Sequence, residues 1–163
     1  MGFDKLSTLL WRERDVLDLL GFKLAEEYLV LAAGHHAWLA RATAEVEQAV
    51  GLLADADHLR ERAVAELVVE LGLDATPTLA ELADLAAAPE PWRELLAGHR
   101  QAMLDHLAHI ERVSAANREI LARRMTATAD ALAYLGAQPG SSYGPDGNPP
   151  TLRANARLVN ATA

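Results

Sequence analysis

The sequence contains no cysteine, few aromatic residues and no concentrated basic segment. Without cysteine, neither a disulfide framework nor a thiolate metal site can form. The net charge is −8, and the longest basic run is the pair Arg123 and Arg124. Nucleic acids and anionic membrane surfaces both require a concentrated positive face, so neither is an expected partner.

Long apolar runs and an N-terminal targeting pattern are also missing. No stretch approaches the roughly 18 uninterrupted apolar residues of a membrane-spanning helix, and the first residues lack a basic region followed by an apolar core. Aromatic residues make up 5% of the chain and hydrophobic residues 51%. The core must therefore consist of Leu, Ala and Val, a composition typical of helices. We expect a cytoplasmic protein without membrane insertion.

Glycine and proline indicate where the first two helices end. The first proline is Pro77, so everything before it can be helical. We expect helix 1 to start after Asp4, as its N-cap, and to end before Gly34. Helix 2 should run from about residue 36 to 71 and stop at Gly72, because both glycines stand where a left-handed C-terminal cap is favoured.

The second half of the chain predicts a short helix, a long helix and a tail. Thr78 and Glu81 have the spacing of a capping box, which predicts a short helix over 78–87. Pro91 favours the start of a proline-free helix over 92–138. The domains are then a helical bundle over 1–138 and a Gly/Pro-rich tail over 139–163, which we expect to be disordered.

Apolar residues recur every seven positions in all three long helices, which predicts packed helical seams. We expect an all-α fold, an elongated antiparallel bundle or coiled coil of three long helices and one short helix with a flexible C-terminal tail. Asn117 and Arg124 in the last helix are polar residues on a seam, and we interpret them as residues that set the register. The seams are Leu10, Leu17, Leu24 and Leu31 with Leu6 and Leu20; Leu39, Val46 and Leu53; Ala42, Ala49, Ala56 and Ala63; Leu96, Met103, Ile110, Asn117, Arg124 and Ala131; and Arg100, Leu107, Ser114, Leu121, Thr128 and Leu135.

Two sets of apolar residues are candidates for contact with a partner. If the last helix runs antiparallel to helix 2, its final turns, with Leu132 and Leu135, extend beyond their internal partners. In helix 1, a second stripe of Trp11, Phe22 and Leu29 lies more than a quarter-turn from the main seam and is rimmed by acidic residues. Either helix 1 packs against two neighbours or this stripe forms part of a groove for a foreign helix. The rim is Asp15, Asp18 and Glu26.

The patterns that would indicate an enzyme are absent from the sequence. His99, His106 and His109 can share a helix face, but the Glu-x-x-His and His-Glu-x-x-His patterns of metal-binding helices do not occur. No Gly-x-Ser-x-Gly motif and no phosphate-binding glycine loop is present. We expect no catalytic residues, no metal site and no cofactor.

Helix 1 contains Leu9-Leu-Trp-Arg-Glu-Arg-Asp-Val-Leu-Asp-Leu-Leu20, with Glu26 and Glu27 further on. The last helix contains Asn117-Arg-Glu-Ile-Leu-Ala-Arg-Arg-Met125 and then Ala131-Leu-Ala-Tyr-Leu135, and Ser142-Tyr-Gly-Pro-Asp-Gly147 follows it. Together these segments resemble the FlgN-type flagellar export chaperone family. The resemblance covers about residues 5 to 147. The Ala- and Pro-rich region 74–91 departs from the shorter-linked members and resembles actinobacterial-type versions.

The resemblance implies a cytoplasmic, non-enzymatic chaperone. Such a protein binds the terminal amphipathic helices of hook-filament junction (hook-associated) proteins and delivers them to the flagellar export apparatus. The alternatives are a structural coiled-coil adaptor and a metal-dependent helical enzyme that uses the three histidines, and self-pairing into a homodimer stays open. The predicted partner-binding residues are Leu121, Met125, Leu132, Leu135 and Tyr143, with Trp11, Phe22 and Leu29 as the second surface.

Overall fold

The computed structural model describes residues 2–84 and 90–137, and this part of the chain contains helices and no strand. Three helices are long and one is short, which confirms the predicted all-α class and helical bundle. The elements in chain order are α1 (Gly2–Ala33), α2 (His36–Leu71), α3 (Leu79–Asp84) and α4 (Trp92–Ala137).

Glycines in the left-handed conformation end α1 and α2, as predicted. Gly34 has φ 74° and Gly72 has φ 66°, values that side chains with a Cβ rarely adopt. At each end the next residue's N–H donates to a carbonyl five residues back, from His35 to Val30 (3.1 Å) and from Leu73 to Val68 (3.0 Å). This pattern supplies donors to carbonyls that a helix end leaves unpaired.

The predicted start of α1 after Asp4 is wrong, because the chain is already helical at Gly2. The backbone carbonyl of Asp4 accepts a hydrogen bond from Thr8 Oγ1 (2.9 Å), as an intrahelical residue can. An acidic residue is favourable both at the N-cap and within the first turn, so the residue type alone does not distinguish the two positions.

The capping box at α3 forms as predicted. The Thr78 N–H donates to Glu81 Oε2 (2.7 Å), and the Glu81 N–H donates to Thr78 Oγ1 (3.2 Å). The hydrogen bond from the Thr78 backbone lowers the pKa of Glu81, because it stabilises the carboxylate form. The predicted end of this helix, Ala87, lies outside the described residues.

The core lies along the leucine seam of α1. All six predicted leucines of this seam are buried, and so are Ala49, Ala56 and Ala63 of α2. Small alanine side chains allow two helix axes to approach closely, which explains the tight α1–α2 pair. One cluster joins α1 to α2, α3 and α4 through Leu67, Leu82 and Leu96.

The chain divides into two compact units, Met1–Arg124 and Met125–Ala163, so that α4 contributes residues to both. In the first unit, Asn117 Nδ2 donates to the Leu24 carbonyl (3.1 Å) and to Glu27 Oε2 (3.0 Å). Arg124 Nη2 donates to the Leu31 carbonyl. Asn117 and Arg124 therefore bind α1 carbonyls that lie seven residues apart.

In the second unit, every side chain described from 125 to 136 is exposed. The predicted boundary between residues 138 and 139 lies beyond the described residues, which end at 137.

Candidate functional site

The second stripe of α1 is exposed. Trp11, Phe22 and Leu29 retain between 51% and 65% of their accessible surface. The main seam of α1 packs against both neighbours, since Arg60 of α2 binds Glu13 and Asn117 of α4 binds the Leu24 carbonyl. Contact with two neighbouring helices therefore leaves this stripe uncovered.

Charged groups flank Phe22 on this stripe. Lys23 Nζ lies 5.3 Å from the centre of the Phe22 ring. Its ammonium also forms ion pairs with Glu26 and Glu45, each at 2.7 Å. The pKa of Lys23 is raised, mainly by its hydrogen bond to Glu26 and secondly by its hydrogen bond to Glu45. The stripe thus combines exposed apolar surface with a paired charged rim, as surfaces that bind amphipathic helices do.

Trp11 forms one wall of an open groove between α1 and α4, which we call the Trp11 groove. Its volume is about 610 Å³. The Trp11 ring meets the His99 ring edge-on, with 5.0 Å between ring centres, and the Arg14 guanidinium lies 4.2 Å over the Trp11 ring. The lining residues are Trp11, Arg14, Pro91, Glu94, Leu95, Gly98 and His99.

His99 forms the buried polar side of the Trp11 groove, with 2% of its surface exposed. Arg14 Nη1 lies 3.4 Å from His99 Nδ1, and Ser7 Oγ lies 3.2 Å from His99 Nε2. Because a guanidinium can only donate, Nδ1 accepts and the Nε2–H donates to Ser7. Burial, and secondly the Arg14 charge, lower the pKa of His99. The imidazole is therefore held neutral.

The three histidines of α4 have separate surroundings. His99 is buried beside Ser7, His106 Nδ1 lies 3.9 Å from Asp18, and His109 packs against Gly21. Within residues 2–84 and 90–137, no group of three or more His, Cys, Asp and Glu side chains is arranged to hold a metal ion.

A second groove contains a buried carboxylate that the sequence analysis did not identify. Glu13 is 4% exposed and accepts a hydrogen bond from Arg60 Nε (2.9 Å). Burial raises the pKa of Glu13, although Arg60 partly offsets this effect. The spacing in the sequence indicates that Glu13 is buried, because it lies three residues after Leu10 and four before Leu17. It therefore falls on the seam of α1. This groove of about 320 Å³ is lined by Glu13, Leu17, Val50, Leu53, Ala54, Asp57, Met103 and Leu107.

The predicted binding residues of α4 are exposed wherever the structure describes them. Leu121, in the first unit, is 38% exposed. Met125, Leu132 and Leu135, in the second unit, are between 63% and 73% exposed. Tyr143, the remaining predicted residue, lies outside the described residues. Exposed large apolar side chains at helical spacing are typical of a surface that contacts another helix.

A family model described as FlgN protein matches residues 1–151. No curated protein and no solved structure matches the chain. Within residues 2–84 and 90–137, none of the helices combines the length and apolar content that crossing a bilayer requires. FlgN is a family of flagellar export chaperones that bind export substrates, and it is not an enzyme family. Since the match covers most of the chain, the chain belongs to the FlgN family.

Proposed function

We propose that this protein binds the terminal amphipathic helices of hook-filament junction proteins in the cytoplasm and keeps them soluble before secretion. The proposal rests on the exposed apolar residues of the last turns of α4. In the second unit, the proposed binding residues are Met125, Leu132 and Leu135. Leu121 is added to them on the basis of the sequence pattern. Tyr143 belongs to the same proposed surface on the basis of the sequence.

Apolar burial supplies the affinity for the client helix. Covering one large aliphatic side chain contributes about 1.5–3 kcal/mol, so a few such residues offset the cost of association. Met125 has a flexible, polarizable side chain that adapts to differently shaped partners. A chaperone that acts by mass action covers the client reversibly and releases it at the export apparatus. The same surface can pair with a second copy when no client is present.

The deciding experiment is co-expression with the terminal helical segments of hook-filament junction proteins. The chaperone proposal predicts a soluble complex of defined stoichiometry on gel filtration. A structural coiled-coil adaptor with another permanent partner would give no complex with these segments.

The site is tested by replacing Leu132 and Leu135 together with serine in the full-length chain. We expect client affinity to fall about a hundredfold or more, because two exposed leucines no longer become buried on binding. Val69→Ser, at a residue of α2 that is 82% exposed, is the matched control and should leave affinity unchanged. Isothermal titration calorimetry measures both.

Removal of residues 127–163 should likewise abolish client binding while the helicity and melting of the remaining chain persist. Undiminished binding by this truncation or by the double serine variant would move the site elsewhere. The stripe of Trp11, Phe22 and Leu29 is then the next surface to test.

A further inference from the structure

The Trp11 groove combines apolar walls with one partly buried positive charge. Trp11 and Leu95 present exposed apolar surface on its two sides, from α1 and α4. Arg14 lies between them and stacks on the Trp11 ring. A ligand that fits this groove therefore needs an apolar body and a group that complements a guanidinium.

Among the described residues, no carboxylate lies within ion-pair distance of Arg14, in contrast to Arg60, which pairs with both Glu13 and Asp57. Arg14 Nη1 donates to Nδ1 of the neutral His99 ring, and Arg14 Nε is buried without an acceptor. Within the part of the chain that the structure describes, Nη2 has no hydrogen-bond partner and is not buried, so it is open to an incoming group. A partly buried guanidinium without an anion is unfavourable, and a carboxylate supplies the missing partner.

Glu94 also lines the groove, and its charge opposes an anionic ligand. Glu94 is exposed, whereas Arg14 is partly buried. Solvent screens an exposed charge more strongly than a partly buried one, so the attraction of Arg14 dominates. The balance of charge in the groove favours a carboxylate over an ammonium group.

We propose that the Trp11 groove binds an acidic side chain, together with a neighbouring apolar side chain, of the amphipathic helix of an export substrate. The carboxylate receives hydrogen bonds from Arg14, and the apolar side chain packs between Trp11 and Leu95. The identity of the partner as an export substrate rests on the proposed function above. The chemistry of the groove rests on its own residues and is tested separately.

The first test uses three probes of one shape on the full-length protein: 4-phenylbutyrate, its uncharged amide 4-phenylbutanamide, and the cation 4-phenylbutylamine. The chain has three tryptophans, so the indole N–H region of a proton–nitrogen NMR spectrum contains three side-chain signals, and Trp11→Phe identifies one. We expect 4-phenylbutyrate to shift the Trp11 signal saturably and to bind several-fold more tightly than the amide. Equal binding of all three probes, no shift, or tightest binding of the cation would overturn the proposal.

Charge variants test which group binds the probe. Arg14→Gln should weaken binding of 4-phenylbutyrate about tenfold, as expected for loss of a charge-assisted hydrogen bond. Glu94→Gln should strengthen it two- to threefold, roughly the effect of removing an exposed repulsive charge. Arg12→Gln, an exposed arginine on α1 outside the groove, is the matched control for net charge. Reversed signs for Arg14 and Glu94 would contradict a carboxylate ligand.

A filling variant keeps the test decisive if Arg14→Gln fails to fold. A Cβ added at Gly98 meets no atom within 4 Å, so Gly98→Leu can occupy the groove without a clash at the backbone. Gly51 in α2 is equally free of neighbours and gives the matched control Gly51→Leu. We expect Gly98→Leu, but not Gly51→Leu, to abolish binding of 4-phenylbutyrate.

The same pair of variants is then compared in binding to the junction-protein segment that forms a complex with the wild-type chain. Gly98→Leu should weaken this complex at least tenfold, and Gly51→Leu should not. A client complex unaffected by Gly98→Leu would overturn the groove as a substrate site and leave the proposed function intact. If no junction-protein segment binds the wild-type chain, the proposed function is wrong. The proposal that an export substrate occupies the Trp11 groove is then wrong as well.

Discussion

α4 has two seams of seven-residue spacing, a first line through Leu96 and Asn117 and a second line through Leu107 and Leu121, and the two lines differ in burial. In the first line, Leu96 and Asn117 are buried, whereas in the second line Leu107 and Leu121 are exposed. The difference arises because α1 contacts the first line, through apolar packing at Leu96 and through the amide of Asn117. A repeat therefore identifies residues that share a helix face, but the neighbouring helix determines which face is covered.

The largest expected effect is the difference in lost stability between a substitution in the first line and one in the second. Leu96→Ala removes a side chain that is fully buried in the main cluster and should lower the free energy of unfolding by about 3 kcal/mol. Leu107→Ala removes a half-exposed side chain and should cost about 1 kcal/mol or less. Urea denaturation followed by circular dichroism measures both. Equal losses would mean that the second line is covered in solution.

A smaller effect is expected at Asn117, a polar position of the first line. Asn117→Ala removes hydrogen bonds to the Leu24 carbonyl and to the Glu27 carboxylate, and should cost about 1.5 kcal/mol. Ser114→Ala in the second line is the control, with an expected change within about 0.5 kcal/mol. Denaturant midpoints of the two variants give the comparison. A neutral Asn117→Ala would show that apolar packing alone holds α4 on α1.

The smallest effect concerns pH and His99, which lies three residues after Leu96. Its lowered pKa means that below the ordinary value of 6.5 the folded state binds fewer protons than the unfolded state. Stability should therefore fall as the pH drops through and below 6.5, and His99→Gln should remove this dependence. The measurement is the difference in unfolding free energy between wild type and His99→Gln from about pH 8 to 5. A constant difference would contradict the buried, neutral imidazole.

Local signals in the sequence predicted the helices well. Gly34 and Gly72 ended α1 and α2 as predicted, since a left-handed backbone conformation there favours the residue without a Cβ. Thr78 and Glu81 formed their capping box, because both hydrogen bonds lie within four residues. Such features depend on nearby atoms alone and can be read before the tertiary structure is known.

Features that depend on helix rotation escaped prediction. The sequence grouped His99 with two other histidines of α4, whereas the structure buries it between Ser7 and Arg14 of α1. The Trp11 groove depends in the same way on how α1 faces α4, and no local residue pattern specifies that rotation. The sequence left two alternatives for the second stripe of α1, whose residues Trp11, Phe22 and Leu29 are exposed in the structure. Periodicity shows which residues share a helix face, but it does not show how many neighbouring helices cover that face.

The turn at Gly34 and His35 sets the angular position of α2. Only these two residues separate α1 from α2, and the hydrogen bonds of Gly34 and His35 to α1 carbonyls fix both. With the turn fixed in this way, one residue inserted into the first turn of α2 would rotate every following side chain of α2 by about 100° around the helix axis. Ala49, Ala56 and Ala63 would then turn away from α1, and larger or charged side chains would take their place. The shortest connection of the chain thus decides which side of α2 faces the core.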